Sequence, residues 1–282
     1  MLARSSLGLS VIAAALLAST AAFAVPVVTV DGISIPVGPS FLDTETSFEQ
    51  LVTGSGQPFG GVFKVQAISS AGNNTYTYGQ NSRYLYGVFN GFTTTSVTAP
   101  TATTPGTIKL TGGQISYHVA NTDNFSASGA GTPGCPLATP PGPTNGSPCQ
   151  VADFTADQLG TLFLSAVPQV IDNLGNTLTL TIPANNNLVT FAQANALAFL
   201  DVTGGDAAAN FNTNSKTNTF TGAITDMSFQ GTANSESQGS DFGVSGSNDL
   251  AANVIPEPAT ISLIGGGLLA AGWLRRRKAK KA

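Results

Sequence analysis

Charge, histidine and cysteine are all scarce in this chain, and each scarcity removes a class of function. Charged residues make up 9 % of the 282 residues, with one histidine and two cysteines. With His118 alone, the familiar zinc sites lack a second imidazole. A Ser-His-Asp triad would have to use the same residue, and no Gly-x-Ser-x-Gly elbow holds a nucleophile for it. His118 sits on an alternating strand between Tyr117 and Val119, the setting of a structural histidine. No Cys-x-x-Cys occurs, and neither a phosphate-binding Gly-x-x-x-x-Gly-Lys loop nor a strand-to-helix nucleotide fingerprint is present. Asp43, Glu45 and Glu49 are close in sequence, and glycoside hydrolysis needs two carboxyl groups across the scissile bond. Closeness in sequence does not set that separation. The chain reads as a non-enzyme that needs no cofactor and no metal.

The few charges are unevenly placed. Seven of the eleven Lys/Arg residues lie near the two ends, leaving Lys64, Arg83, Lys109 and Lys216 against fourteen Asp/Glu between Val25 and Val254, a formal charge of −10. An acidic exterior repels phosphate backbones, which argues against nucleic acid as a partner. Solubility must lean on Asn, Thr, Ser and Gln, a composition that suits an exported β protein.

Strand signals dominate this middle region. Val27-Val28-Thr29-Val30 and Ile33-Ser34-Ile35 flank Asp31-Gly32, a strong two-residue hairpin signal. Gly61 to Ile68, Arg83 to Phe89 and Phe92 to Val97 are strand-like. Thr107 to Leu110 and Gln114 to Val119 flank Gly112-Gly113, which reads as another hairpin. Thr161 to Val167, Thr177 to Ile182, Leu197 to Val202 and Ala223 to Phe229 follow. Ala192 to Leu200 has a short helix as its alternative, alanine being the best helix former. Asp153 to Leu159 reads as a helical turn. Short β-branched runs spaced by Gly, Asn and Pro predict an all-β sandwich or barrel-like domain over residues 25–234. Residues 235–255 turn Gly/Ser/Asn-rich and read as a flexible tether.

Cys135 and Cys149 bracket a Pro/Gly-rich loop within residues 130–150. In an oxidising compartment a disulfide between them is the default expectation. Closing such a loop stabilises by about 3 kcal/mol on the chain-entropy account.

Both ends carry targeting patterns. Met1-Leu2-Ala3-Arg4 is a short cationic start, Leu7 to Leu17 is nearly continuous apolar sequence, and Ala22-Phe23-Ala24 is a signal-peptidase pattern. Cleavage after Ala24 by signal peptidase makes Val25 the first mature residue. At the other end, Pro256-Glu257-Pro258 precedes an apolar run over residues 259–274 and then Arg275-Arg276-Arg277-Lys278-Ala279-Lys280-Lys281. The run has 16 residues, near the roughly 20 a transmembrane helix needs. Snorkelling arginines make up the difference, and the six cations hold that end on the cytoplasmic face. The two prolines keep the backbone around Glu257 extended, ready for a processing enzyme's cleft.

Residues 256–282 closely resemble the PEP-CTERM sorting signal. That resemblance implies an exosortase, a membrane-embedded enzyme, as the partner that reads Pro256, Glu257 and Pro258 and releases or transfers the protein outward. The expected route is an inner-membrane-anchored intermediate, then the cell surface or the extracellular space. A structural or adhesive role in matrix, biofilm or flocculation is the reading the resemblance implies, with exopolysaccharide a candidate partner.

The alternative is a carbohydrate- or calcium-binding module. Tyr76, Tyr78, Tyr84 and Tyr86 are aromatic candidates for sugar stacking. Asp201 to Asp206 and Asn210 to Asn214 set oxygen-bearing side chains around a glycine turn, as a calcium site requires. A hydrogen-bonded turn explains the same residues. Asn73, Asn124 and Asn145 satisfy the N-glycosylation pattern, yet read as ordinary turn chemistry.

Overall fold

The computed structural model describes residues 26–123, 160–235 and 244–256. The fold is all-β, as the alternating runs predicted, and its main sheet closes on itself. β1 (Val27–Val30) and β2 (Ile33–Pro36) form the hairpin expected at Asp31-Gly32. Both turn residues have positive φ, 51° and 80°, as the twist-matched two-residue turn demands.

The barrel starts with β3 (Gly38–Glu49), which pairs with β4 (Pro58–Lys64). β4 pairs with β7 (Tyr84–Thr98), and β7 with β8 (Gly106–Ala120). The next position is shared. β10 (Leu178–Ile182) lies along Gly106–Leu110 of β8, and β9 (Thr161–Pro168) along Ile115–Val119. Both then pair with β11 (Ala194–Gly204), followed by β14 (Met227–Ser235) and β15 (Val244–Val254). β15 pairs back onto β3 along its whole length, from Val244 opposite Glu49 to Val254 opposite Gly38. Every pairing is antiparallel, and closure leaves this circuit without an unpaired edge. β8 from before the cysteine loop pairs directly with β9 from after it, so strands from both halves build one barrel.

β5 (Ala67–Ser70) pairs with the first half of β3, and β6 (Asn73–Thr77) with β5. Against this flap lies β2, tied by the Thr75 hydroxyl donating to the Ser34 carbonyl at 2.8 Å. A 3-10 turn (Gln80–Ser82), a short helix α1 (Ala208–Phe211) and a small hairpin of β12 (Lys216–Thr217) and β13 (Ile224–Thr225) complete the described elements.

Three sequence expectations are corrected. Gly112-Gly113 is not a turn: β8 runs through it, and Asn90-Gly91 lies opposite within an equally continuous β7. Gly91, Gly112 and Gly113 all have positive φ, so the two strands kink together. Across the kink the inward set of β8 changes parity, from Ile108 and Leu110 to Ile115, Tyr117 and Val119. The possible helix over Ala192 to Leu200 is instead central strand β11. Its alanines serve packing: Ala194 and Ala198 are buried, and Ala198 lines an interior cavity with the rings of Phe59, Phe89, Phe92 and Phe229. Most of the expected tether, residues 244–254, is the strand that closes the barrel. Its inward residues Val244, Asn248, Leu250, Ala252 and Val254 alternate, but Asn and Ala hide the rhythm.

Aromatic rings fill one part of the interior. Phe63 packs edge-on to Tyr117 with centroids 5.2 Å apart, and Phe89 lies 5.4 Å from Phe59. Such pairs add roughly 0.5–1.5 kcal/mol each beyond area burial.

Candidate functional site

β15 delivers the chain to Pro256-Glu257-Pro258, so the end of β15 is where the fold meets the C-terminal motif. At this rim the backbone of Ile255 is held at both of its polar atoms. Its N–H donates to the Asn210 carbonyl at 3.0 Å, and the Asn210 side-chain Nδ2 donates to the Ile255 carbonyl at 2.9 Å. Asn210 is fully buried.

Packing and backbone bonds fix the short helix that carries Asn210. Phe211 packs edge-on to Phe163 of β9, centroids 6.3 Å apart. The Ala207 N–H donates to the Phe163 carbonyl at 2.8 Å. Beyond α1, the buried carboxylate of Asp226 accepts the backbone N–H groups of Thr213 and Asn214, both at 2.7 Å, and of Val202 at 2.9 Å. Asp226 thus ties the segment after α1 to β11. Sequence reading took Asn210 for a calcium candidate and missed Asp226, because their partners lie on other elements. Pro256 is the last described residue of the motif; Glu257, Pro258, and the run 259–274 lie outside the described residues. So do Ala22, Ala24, Val25, Cys135, Cys149 and Asp153 to Leu159. Among the described residues no helix is long and apolar enough to cross a membrane.

The calcium candidates do not converge. Asp201 accepts the Gln169 side-chain amide, Asp206 is exposed, and the Asn210 side chain is turned to Ile255. Asp206 instead faces Asp31, whose carboxyl is held above its ordinary value by burial first and by Asp206 second, with Arg83 opposing. Among the described residues no group of three His, Cys, Asp or Glu is placed to hold a metal.

The tyrosines separate into core and surface. Tyr76 is buried, its hydroxyl donating to the Arg83 carbonyl and accepting from the Leu85 N–H, both at 3.0 Å. Burial pushes this hydroxyl up to about 12. Tyr86 is also buried and donates to the Thr122 carbonyl at 3.0 Å. Tyr78 and Tyr84 are half-buried and edge-to-face, 5.3 Å between centroids, so they share no flat face for a sugar. Tyr78 donates to Asp123 at 2.7 Å and lies under the Lys64 ammonium, 5.0 Å from its ring centre.

His118 lies on the outward side of β8, Nε2 3.0 Å from the Ser116 hydroxyl, and burial lowers its pKa below the ordinary value. The acidic cluster splits. Asp43 faces outward opposite Asp249, while Glu49 is buried in the barrel, and the side chain of Glu45 lies outside the described residues.

Glu49 is close to Asp43 and Glu45 in sequence, but the fold takes it into the barrel interior. It lines a cavity of about 20 Å³ together with Phe59, Phe89, Phe92, Phe229 and Asn248. That is room for about one water. The Ser47 hydroxyl donates to its carboxyl at 3.2 Å. Burial pushes Glu49 up to about 7 against the opposing pull of Ser47 and Asn248.

Comparison with known proteins bears on the C-terminal segment. Residues 254–278 match the PEP-CTERM protein-sorting motif. No curated protein and no solved structure matches the chain. The matched segment begins at Val254, the last residue of β15. This chain therefore carries a PEP-CTERM sorting signal, which marks it as an exported surface protein handled by an exosortase.

Proposed function

We propose that the β-barrel is the non-enzymatic cargo of this sorting route, a structural or adhesive component of extracellular matrix, biofilm or floc. The observation that carries the reading is the direct junction between a closed barrel and the sorting motif, with one residue, Ile255, between β15 and Pro256. A closed barrel has no free strand edge in its main circuit, so it withstands exposure outside the cell without pairing to its own copies. Low charge and an Asn/Thr/Gly-rich surface suit dense packing among hydrated polymers.

Deletion of residues 256–282 tests the sorting step. Surface delivery is lost while the barrel keeps its strand spectrum; unchanged delivery overturns the reading. Loss of biofilm or floc cohesion in a strain lacking the whole protein tests the adhesive role, and unaltered cohesion removes it.

A second reading, binding of exopolysaccharide, draws on a cleft of about 290 Å³ on the outer face of β11, β14 and β15. Asn195, Gln230, Thr232, Ser247 and Asp249 line it. Two amides, two hydroxyls and a carboxylate suit the alternating donors and acceptors of a sugar ring. Binding on a glycan array that is lost in Gln230→Ala supports this reading, and inert arrays leave the matrix role alone.

A further inference from the structure

Very few residues separate the barrel from the apolar run over residues 259–274. Ile255 is clamped to Asn210 through both its N–H and its carbonyl, and the apolar run begins at Ala259. Even fully extended, the chain covers at most about 14 Å between these two points. An enzyme that reaches Pro256-Glu257-Pro258 therefore works directly beside the barrel rim.

We propose that the Asn210–Ile255 clamp is a positioning device for processing, fixing at the barrel rim the point from which Pro256-Glu257-Pro258 is presented to the sorting enzyme. This rests on the sorting reading above. A peptide fixed where it leaves the rim has already lost part of the conformational freedom that a cleft would otherwise have to remove. The prolines at 256 and 258 act in the same direction, since each fixes its own φ and disfavours helix in the residue before it. The clamp also depends on the fold. Asn210 is positioned by Phe211 on Phe163, and Ile255 by β15 in its place between β14 and β3. A chain whose last strand has not closed the barrel lacks this fixed point. Processing is thereby tied to completion of folding.

The test uses the full-length precursor in its native host, with pulse–chase and intact-mass measurement of the product. A ten-residue Gly/Ser insertion between Ile255 and Pro256 keeps the barrel and the clamp but frees the motif from the rim. The motif then loses its fixed entry at the rim, so processing slows severalfold while the melting temperature is unchanged. Asn210→Ala removes the Nδ2 donor to the Ile255 carbonyl, leaves the backbone half of the clamp in place, and slows processing as well. Insertion variants processed at the original rate, or faster, overturn the proposal, because the rim would then be neutral or an obstruction. Glu257→Ala separates the two readings. If it stalls while the insertion does not, the clamp alone fails. If it is processed normally, the sorting reading fails too.

Discussion

The ring of Phe63 occupies the space that a side chain at Gly87 would need: a Cβ there would lie 1.8 Å from the Phe63 Cζ. The two residues are direct cross-strand partners on β4 and β7, and Tyr117 on β8 pairs with Gly87 from the other side. One missing side chain thus lets an aromatic ring lie across the middle strand and meet a second ring.

Gly87→Ala should cost at least the 1–3 kcal/mol typical of overpacking, and Phe63→Ala about 3–5 kcal/mol. Because the two changes share one space, most of the Gly87→Ala cost should vanish in a Phe63→Ala background. Urea unfolding of the four proteins in this cycle reads the coupling; additive costs would show that the ring moves aside freely.

Glu49 should make the barrel less stable as pH rises. Its folded pKa is raised from 4.5 to about 7, so the protonated form is the one the interior favours. The stability from this group is fully present below about pH 4.5, falls as pH rises through about 7, and is then constant. The span corresponds to about 3 kcal/mol. The difference in unfolding free energy between the native protein and Glu49→Gln, measured from pH 4 to 9, isolates it. A flat difference would place the carboxyl in contact with solvent.

Asp226→Ala should destabilise on the order of 3 kcal/mol, since it strands three backbone donors that the buried carboxylate accepts. Faster hydrogen exchange at Thr213 and Asn214 would accompany the loss. If melting and exchange are both unaltered, Asp226 is not what fixes the segment after α1.

Calcium should leave the barrel's melting temperature unaltered at about 1 mM, the range of weak extracellular sites. Asp201 and Asn210 already serve Gln169 and Ile255. A rise that a chelator reverses would return the stretch from Asp201 to Asn214 to the list of cation sites.

Particular elements show how much was readable in advance. Asp31-Gly32 was legible because a two-residue turn with positive φ at both positions has a local chemical signature. Gly112-Gly113 carries the same chemistry, yet it kinks a strand whose partner kinks beside it. Positive φ is a local property, whereas turn or kink depends on what lies opposite. β11 was ambiguous because alanine favours a helix when alone and a tight interior when rings face it. Asp43 and Glu49 looked like one cluster because their spacing hides the irregularity where β3 meets β15, between Gly246 and Asn248.

By itself the sequence determined the β class, the first hairpin and the address, since alternation, turn chemistry and a linear peptide signal are all written in neighbouring residues. Tertiary structure alone decided that β15 closes the barrel against β3, that Glu49 is interior, and that Asn210 grips Ile255. Each of these joins residues far apart along the chain, and such contacts are selected by the combined packing of all strands.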